Sequence, residues 1–135
     1  MKFYTQMQVA IATFLGSPIA GGILMAHNAK TAGLGNEQRV YLGVTAVVTA
    51  LLLVLALATP AAGSTHGLIP IGAALVMWLW HQKAQCELVG GGRFPNAKPA
   101  SWWSALGISL LVFVGLLVFV WTVQVLTPRL VSGKT

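Results

Sequence analysis

The sequence predicts an all-α membrane protein whose four transmembrane helices form two duplicated helical hairpins, each containing a proline. Of the 135 residues, 56% are hydrophobic and only 7% are charged, whereas a soluble domain usually has about 25% charged residues. Four apolar stretches, at about 8–27, 40–59, 66–82 and 103–126, come near the roughly 20 residues that a helix needs to cross the hydrocarbon. They lack the alternation that is typical of barrel strands. A helical bundle is expected, because lipid requires each segment to pair its own backbone groups.

An internal repeat indicates how these helices pair. The segment PIAGGILM begins at Pro18 and the segment PIGAALVM begins at Pro70, and a His and a Lys follow each of them. Each segment leads through a polar loop into a second apolar stretch that ends in Thr-Pro.

We therefore expect one integral membrane domain over residues 1–135. Repeat 1 covers about 8–59, repeat 2 covers about 66–126, and a loop insertion at 90–101 distinguishes the second hairpin from the first.

The first helix is predicted to carry a surface of small residues around its proline. Proline removes one backbone hydrogen bond and kinks a membrane helix, and small residues let another helix approach closely. We interpret these positions as a packing seam, with a hinge or gate as the alternative, and we assign the same role to their counterparts in the second half. The residues in question are Gly16, Ser17, Pro18, Gly21, Gly22, Pro70, Gly72 and Gly107.

The other helices have ordinary start and stop signals. Asn36 can cap the second helix, which is almost uniformly aliphatic apart from Thr45 and Thr49. The third helix is predicted to run to Val89, where three glycines end it.

Four tryptophans, close to the end of the third helix and the start of the fourth, are expected to anchor one membrane interface, with a cation-binding aromatic cage as the alternative. They are Trp78, Trp80, Trp102 and Trp103.

The basic residues predict the orientation. The loop between the first and second predicted spans is called loop 1, and the insertion at 90–101 is called loop 3. Five Lys and Arg fall on the face of these two loops, and three fall on the other face. The five are Lys30, Arg39, Lys83, Arg93 and Lys98, and the three are Lys2, Arg129 and Lys134. Because positive residues favour the cytoplasmic side, loops 1 and 3 are placed in the cytoplasm and both termini outside.

The net charge of +6 is scattered rather than clustered, so anionic lipid headgroups are expected as partners and nucleic acid is not. The glycine-rich insertion at 90–101 could also hold an anionic group, with an ordinary connection as the alternative. Headgroup or partner contacts are predicted at His27, Lys30, His81, Lys83, Arg93 and Lys98.

Two segments carry a resemblance to a known group. The stretch FLGSPIAGG over 14–22, with Asn28 and Gly33 downstream, resembles a recurring segment of small bacterial multi-pass membrane proteins. The later Gly91-Gly92 and the stretch SWWSALGI over 101–108 are similar to the second hairpin of the same group. The resemblance implies a location in the bacterial inner membrane and no particular activity.

Residues for catalysis and metal binding are sparse. The only carboxylates are Glu37 and Glu87, which disfavours paired acid and base chemistry. His27, His81 and Cys86 lack a local ligand spacing. We therefore expect no catalytic residue, cofactor or metal, and no ionisable residue lies in the middle of a predicted span, which disfavours proton-coupled pumps.

Three functions are consistent with this pattern. The leading one is a non-enzymatic membrane interaction protein, either an accessory subunit or an immunity-type protein, that associates with itself or with another membrane protein. The second is a small oligomeric channel or facilitator for a neutral or small solute, because internal repeats and broken helices are common in transporters. The third is a lipid-surface enzyme that uses the insertion at 90–101.

Overall fold

The first predicted membrane helix is instead a hairpin of two shorter helices. The computed structural model describes residues 1–58, 65–89, 94, 96 and 98–132, and this part of the chain is mostly helical. Its elements are β1 (Lys2–Phe3), α1 (Gln6–Gly16), α2 (Pro18–Thr31), α3 (Gly35–Ala58), α4 (Thr65–Val89), β2 (Lys98–Pro99) and α5 (Trp102–Ser132).

The chain reverses direction at Ser17, between α1 and α2. Ser17 has φ 82° and ψ 168°, a backbone conformation that is almost restricted to glycine. After the reversal α2 runs back along α1, so that Asn28 bonds to the backbone of Tyr4. In one straight helix these residues, 24 positions apart, would be separated by about 36 Å. The prediction of a single span over 8–27 is therefore wrong.

Local sequence explains where the hairpin begins and turns. A capping box starts α1, in which the Thr5 side chain accepts from the Gln8 backbone and the Gln8 side chain accepts from the Thr5 backbone. Pro18 occupies the first turn of α2, where proline needs no hydrogen-bond partner for its nitrogen. The proline thus begins a helix and does not kink one.

The hairpin is too short to cross a bilayer. The 11 residues of α1 and the 14 residues of α2 correspond to lengths of about 16 Å and about 21 Å. The hydrocarbon of a bilayer is about 30 Å thick. Each arm of the hairpin therefore reaches only part of the way through a layer of that thickness.

The hairpin lies at the centre of the other helices. α3 packs mainly on α2, whereas α4 and α5 pack mainly on α1. Within the described residues the backbones of the three long helices scarcely approach one another, and side chains such as Tyr41 and Trp80 make the contact between α3 and α4. Contact with the hairpin is close: a Cβ at Gly16 would lie 2.6 Å from the carbonyl oxygen of Ser109, and one at Gly22 would collide with the side chain of Thr45.

Two helices of the described part are long and apolar enough to cross a membrane, and they are Gly35–Leu55 and Trp102–Leu126. The sequence predicts four such spans. The first of the four is the hairpin, and the third belongs to α4, whose apolar stretch is short and is followed by His81, Gln82 and Lys83.

The two halves of the chain differ in construction. The first half contains three helices and the described part of the second half contains two. Pro18 begins α2, whereas Pro70 lies inside α4. The duplication stays a prediction from the sequence, and the halves do not share one pattern of helices.

The start of the chain lies on the same side as loop 3. β1 pairs in parallel with β2, with Lys2 opposite Lys98 and Phe3 opposite Pro99. The ring of Phe3 also stacks near that of Phe94, with centroids 5.5 Å apart. The expectation that Lys2 and loop 3 lie on opposite faces is therefore wrong, because the hairpin returns the chain to the face from which it started.

Replacing Gly16 with alanine is expected to destabilise the fold by about 1–3 kcal/mol, because the added methyl group meets the Ser109 backbone in a region that is already filled. Thermal unfolding in detergent, followed by circular dichroism, measures the effect. The matched control is Gly72→Ala in α4, where a new methyl group meets nothing within 4 Å, and this change should leave the midpoint equal or slightly higher. Equal midpoints for both variants would show that the hairpin and α5 are not in close contact.

Candidate functional site

A network of buried amides closes the open end of the hairpin. The Asn28 side chain is 0% exposed; its Oδ1 accepts from the Tyr4 backbone N–H at 2.7 Å and its Nδ2 donates to the Tyr4 carbonyl oxygen at 2.9 Å. This side-chain amide satisfies both backbone groups of Tyr4, as a neighbouring strand would. The pairing ties the beginning of α1 to the end of α2.

Two glutamines extend the network to the later elements. Gln85 on α4 accepts from Asn28 Nδ2 at 3.0 Å and donates to the Met25 carbonyl oxygen at 2.9 Å. Gln8 on α1 donates to the Ala100 carbonyl oxygen at 2.8 Å. Both glutamines are buried, so α4 and the segment that follows β2 are each held to the hairpin by a buried amide.

Aromatic groups surround this network. The Tyr4 hydroxyl donates to Ser104 at 3.1 Å, and the Tyr41 hydroxyl donates to Glu37 at 3.1 Å. The ring of Tyr41 also packs edge-on against Trp80, with centroids 5.5 Å apart. These contacts bring α3, α4 and α5 to the same end of the hairpin.

His81 lies within this region and is only 2% exposed. Neither ring nitrogen makes a hydrogen bond of good geometry in the described part of the chain, although the backbone of Tyr4 lies near the ring. Within the same residues no group of three or more His, Cys, Asp and Glu could hold a metal ion. The side chains that bond the backbone at this end are the neutral amides of Asn28, Gln8 and Gln85.

The opposite end of the hairpin borders a cavity of about 310 Å³. The hairpin tip, Gly16–Pro18 in sequence, forms one side of it, and α3, α4 and α5 form the others. The lining is almost entirely apolar, and Leu52, Pro70 and Phe113 are typical of it. Openings also lie between described helices, among them a cleft between α3 and α4 that includes Val48 and Val76 and a groove between α1 and α5.

Among the predicted packing residues, Ser17 and Pro70 are half-buried and line the cavity at the hairpin tip, and the other six divide into two groups. Gly16, Pro18, Gly21 and Gly22 are buried, and the glycines among them contact neighbouring helices closely. Gly72 and Gly107 are exposed and a Cβ at either position would meet open space, so the packing role predicted for these two is not seen. The sequence could not distinguish the two groups of glycines, because their local sequence patterns are alike. They differ in whether another helix lies opposite them in the folded structure.

The predicted contact and anchor residues also lie in different environments. His27, Lys30, Lys83 and Lys98 are exposed, whereas His81 is buried; Arg93 lies outside the described residues. Trp78, Trp102 and Trp103 are exposed, as interface anchors would be, and Trp80 is half-buried against Tyr41.

Sequence reasoning overlooked the residues that hold this site together. Asn28, Gln8 and Gln85 had no predicted role in binding or packing. The signal that could have found them is the presence of amides beside apolar helices, because a buried amide needs a partner.

Comparison of the chain with known proteins found no relative. The chain matches no family model, no curated protein and no solved structure.

Replacing Asn28 with alanine should destabilise the fold by about 3 kcal/mol or more, because it leaves two buried backbone groups of Tyr4 without partners at about 1–3 kcal/mol each. Chemical unfolding in detergent measures the change. Asn36→Ala is the control. The capping role predicted for Asn36 is wrong, because α3 begins at Gly35 and Asn36 lies within its first turn; a change at such an exposed site usually stays within about 0.5 kcal/mol. A comparable loss in both variants would contradict the central role of the amide network.

Proposed function

We propose that the protein is a non-enzymatic interaction protein of the bacterial inner membrane, an accessory subunit or an immunity-type protein, that binds a partner within the bilayer. In this arrangement α3, α4 and α5 cross the membrane and the α1–α2 hairpin enters it from one face and returns to the same face. Irregular backbone such as that of Ser17 is tolerated at membrane depth where protein surrounds it, and the three long helices supply that surrounding.

The distribution of charge supports an orientation for this arrangement. Among the described residues, pairing of Lys2 with Lys98 brings five Lys and Arg to the face at the open end of the hairpin, whereas Arg129 lies near the opposite end of α5. The five are Lys2, Lys30, Arg39, Lys83 and Lys98. Because cytoplasmic segments carry the excess of positive residues, this face is cytoplasmic, Lys2 included, and the far end of α5 is outside.

One observation supports a partner most directly: the backbones of the long helices approach the hairpin closely and scarcely approach one another. Their separation leaves sideways openings lined by apolar side chains, such as the cleft formed by Val48 on α3 and Val76 on α4. In a membrane, helices associate through van der Waals packing and close approach rather than by escape from water. A cleft of this form fits a helix of a second membrane protein or of a second copy.

A small channel or facilitator is the second candidate. Half-length helices that meet inside the membrane are a feature of transporters, and the cavity at the hairpin tip lies where such helices usually place a solute. The buried amide network opposes this function, because Asn28, Gln85 and Gln8 are buried and bonded to one another or to the backbone, and so are not available to a passing solute.

A photoreactive amino acid at position 48 is expected to form an adduct with a discrete membrane protein, or with a second copy, in native membranes. Val48 lines the cleft, whereas the adjacent Val47 is 61% exposed and lies outside it. Position 47 is therefore the matched control and should label lipid only. Gel mobility and mass spectrometry of the adducts measure the difference.

Equal labelling from positions 47 and 48 would contradict the use of this cleft. If solute also entered vesicles that contain only this protein, the facilitator would be the better account.

A further inference from the structure

The cavity at the hairpin tip has two polar atoms without partners in an otherwise apolar wall. Ser17 Oγ and Thr49 Oγ1 are both buried, and neither has a hydrogen-bond partner in the described part of the chain. Both residues line the cavity, and Thr49 as a whole is only 8% exposed. Buried polar atoms are nearly always paired in folded proteins, so this pair points to a group that is bound from inside the cavity.

The other buried hydroxyls of the bundle show that Thr49 is an exception. Thr13, Thr45 and Ser109 each donate to the carbonyl oxygen four residues earlier in their own helix, at 2.8, 2.6 and 2.8 Å. Thr45 is one turn before Thr49 on α3. Thr49 could likewise donate to the carbonyl oxygen of Thr45, four residues earlier in the helix. Its hydroxyl instead has no partner among the described residues and lies beside the cavity.

The electrostatics of the tip favour a neutral ligand. The carboxyl end of α1 and the amino end of α2 meet at Ser17. A helix carries a partial negative charge at its carboxyl end and a partial positive charge at its amino end, so the two nearly cancel when they lie side by side. None of the residues that line the cavity is ionisable. An ion at this depth would have no counter-charge, and its burial would be costly.

The two helix ends also define the hydrogen bonding that a ligand needs. The amino end of α2 has no side-chain cap, but Pro18 has no N–H and the Ala20 N–H donates to the Ser17 carbonyl oxygen at 3.0 Å, so this end offers few backbone donors. The last carbonyl groups of α1 are acceptors. A hydroxyl group can both accept and donate, and it can pair with Ser17 and Thr49 in the same way. A bare hydrocarbon satisfies none of these atoms.

We propose that this cavity binds a neutral lipid alcohol, with its hydroxyl group at Ser17 and Thr49 and its apolar chain between α3 and α5. The volume of about 310 Å³ is at the lower end of the range for ligand pockets, which suits one chain rather than a two-chain phospholipid. Phe113 and Leu117 on α5 and Leu53 on α3 supply the apolar walls. The inference requires the proposed membrane setting and does not require the partner at Val48.

The probe is 1-dodecanol carrying a diazirine on its chain, added to the purified full-length protein in detergent. Saturable labelling should map to peptides that line the cavity, and unlabelled 1-dodecanol should compete strongly. Dodecane should compete poorly because it has no hydroxyl group. Dodecanoate at about pH 9, where the carboxylate is ionised, should also compete poorly because the site has no counter-charge.

Thr49→Val should weaken dodecanol binding by about two- to tenfold, the effect of losing one neutral hydrogen bond. Its thermal midpoint should not fall, because the lost hydroxyl has no partner in the protein. Thr122→Val is the matched control: Thr122 is an exposed residue of α5 outside the cavity, and its replacement should leave binding unchanged.

Three results would overturn the proposal: equal competition by dodecane, equal competition by dodecanoate, or unchanged binding in Thr49→Val. If dodecanol binding failed these tests while position 48 still formed partner adducts, the lipid site alone would be refuted. If dodecanol bound as expected while position 48 formed no partner adduct, the proposed partner alone would be refuted.

Discussion

The pairing of Asn28 with the backbone of Tyr4 is the interaction on which the rest of the structure depends. It joins residues that are 24 positions apart and thereby holds two half-length helices antiparallel. Because Asn28 also bonds Gln85, and Gln85 bonds the Met25 carbonyl, the same network fixes α4 against the hairpin. Every polar atom of the Asn28 amide has a partner, which is the condition under which a buried polar group specifies one arrangement.

The shape of the bundle follows from this hairpin. The long helices pack around a central element that reaches only part of the way along them, so they are held together at one end and leave a cavity at the other. The small residues on the hairpin make this possible, since Gly16 and Gly22 let α5 and α3 approach its backbone. The strained conformation of Ser17 is tolerated because the contacts on both arms determine where the chain must turn.

The two ends of the hairpin consequently have different chemistry. At the open end, buried amides bond to one another and to the backbone, and exposed lysines lie around them. At the tip, opposed helix ends and two free hydroxyls face an apolar space. The first end serves the fold and the second is available to a ligand, while the separated outer helices are available to a partner.

The sequence by itself determined the helical class, the apolar character of the long helices, and the importance of the small residues around Pro18. These properties are local, because composition and spacing decide how a segment is solvated and how closely a neighbour can approach. Only the tertiary structure decided that Pro18 begins a helix, that Lys2 lies beside Lys98, and that Gly72 and Gly107 face open space. The physical reason is that a proline can either kink a helix or start one, and the choice depends on the distant pairing of Asn28 with Tyr4.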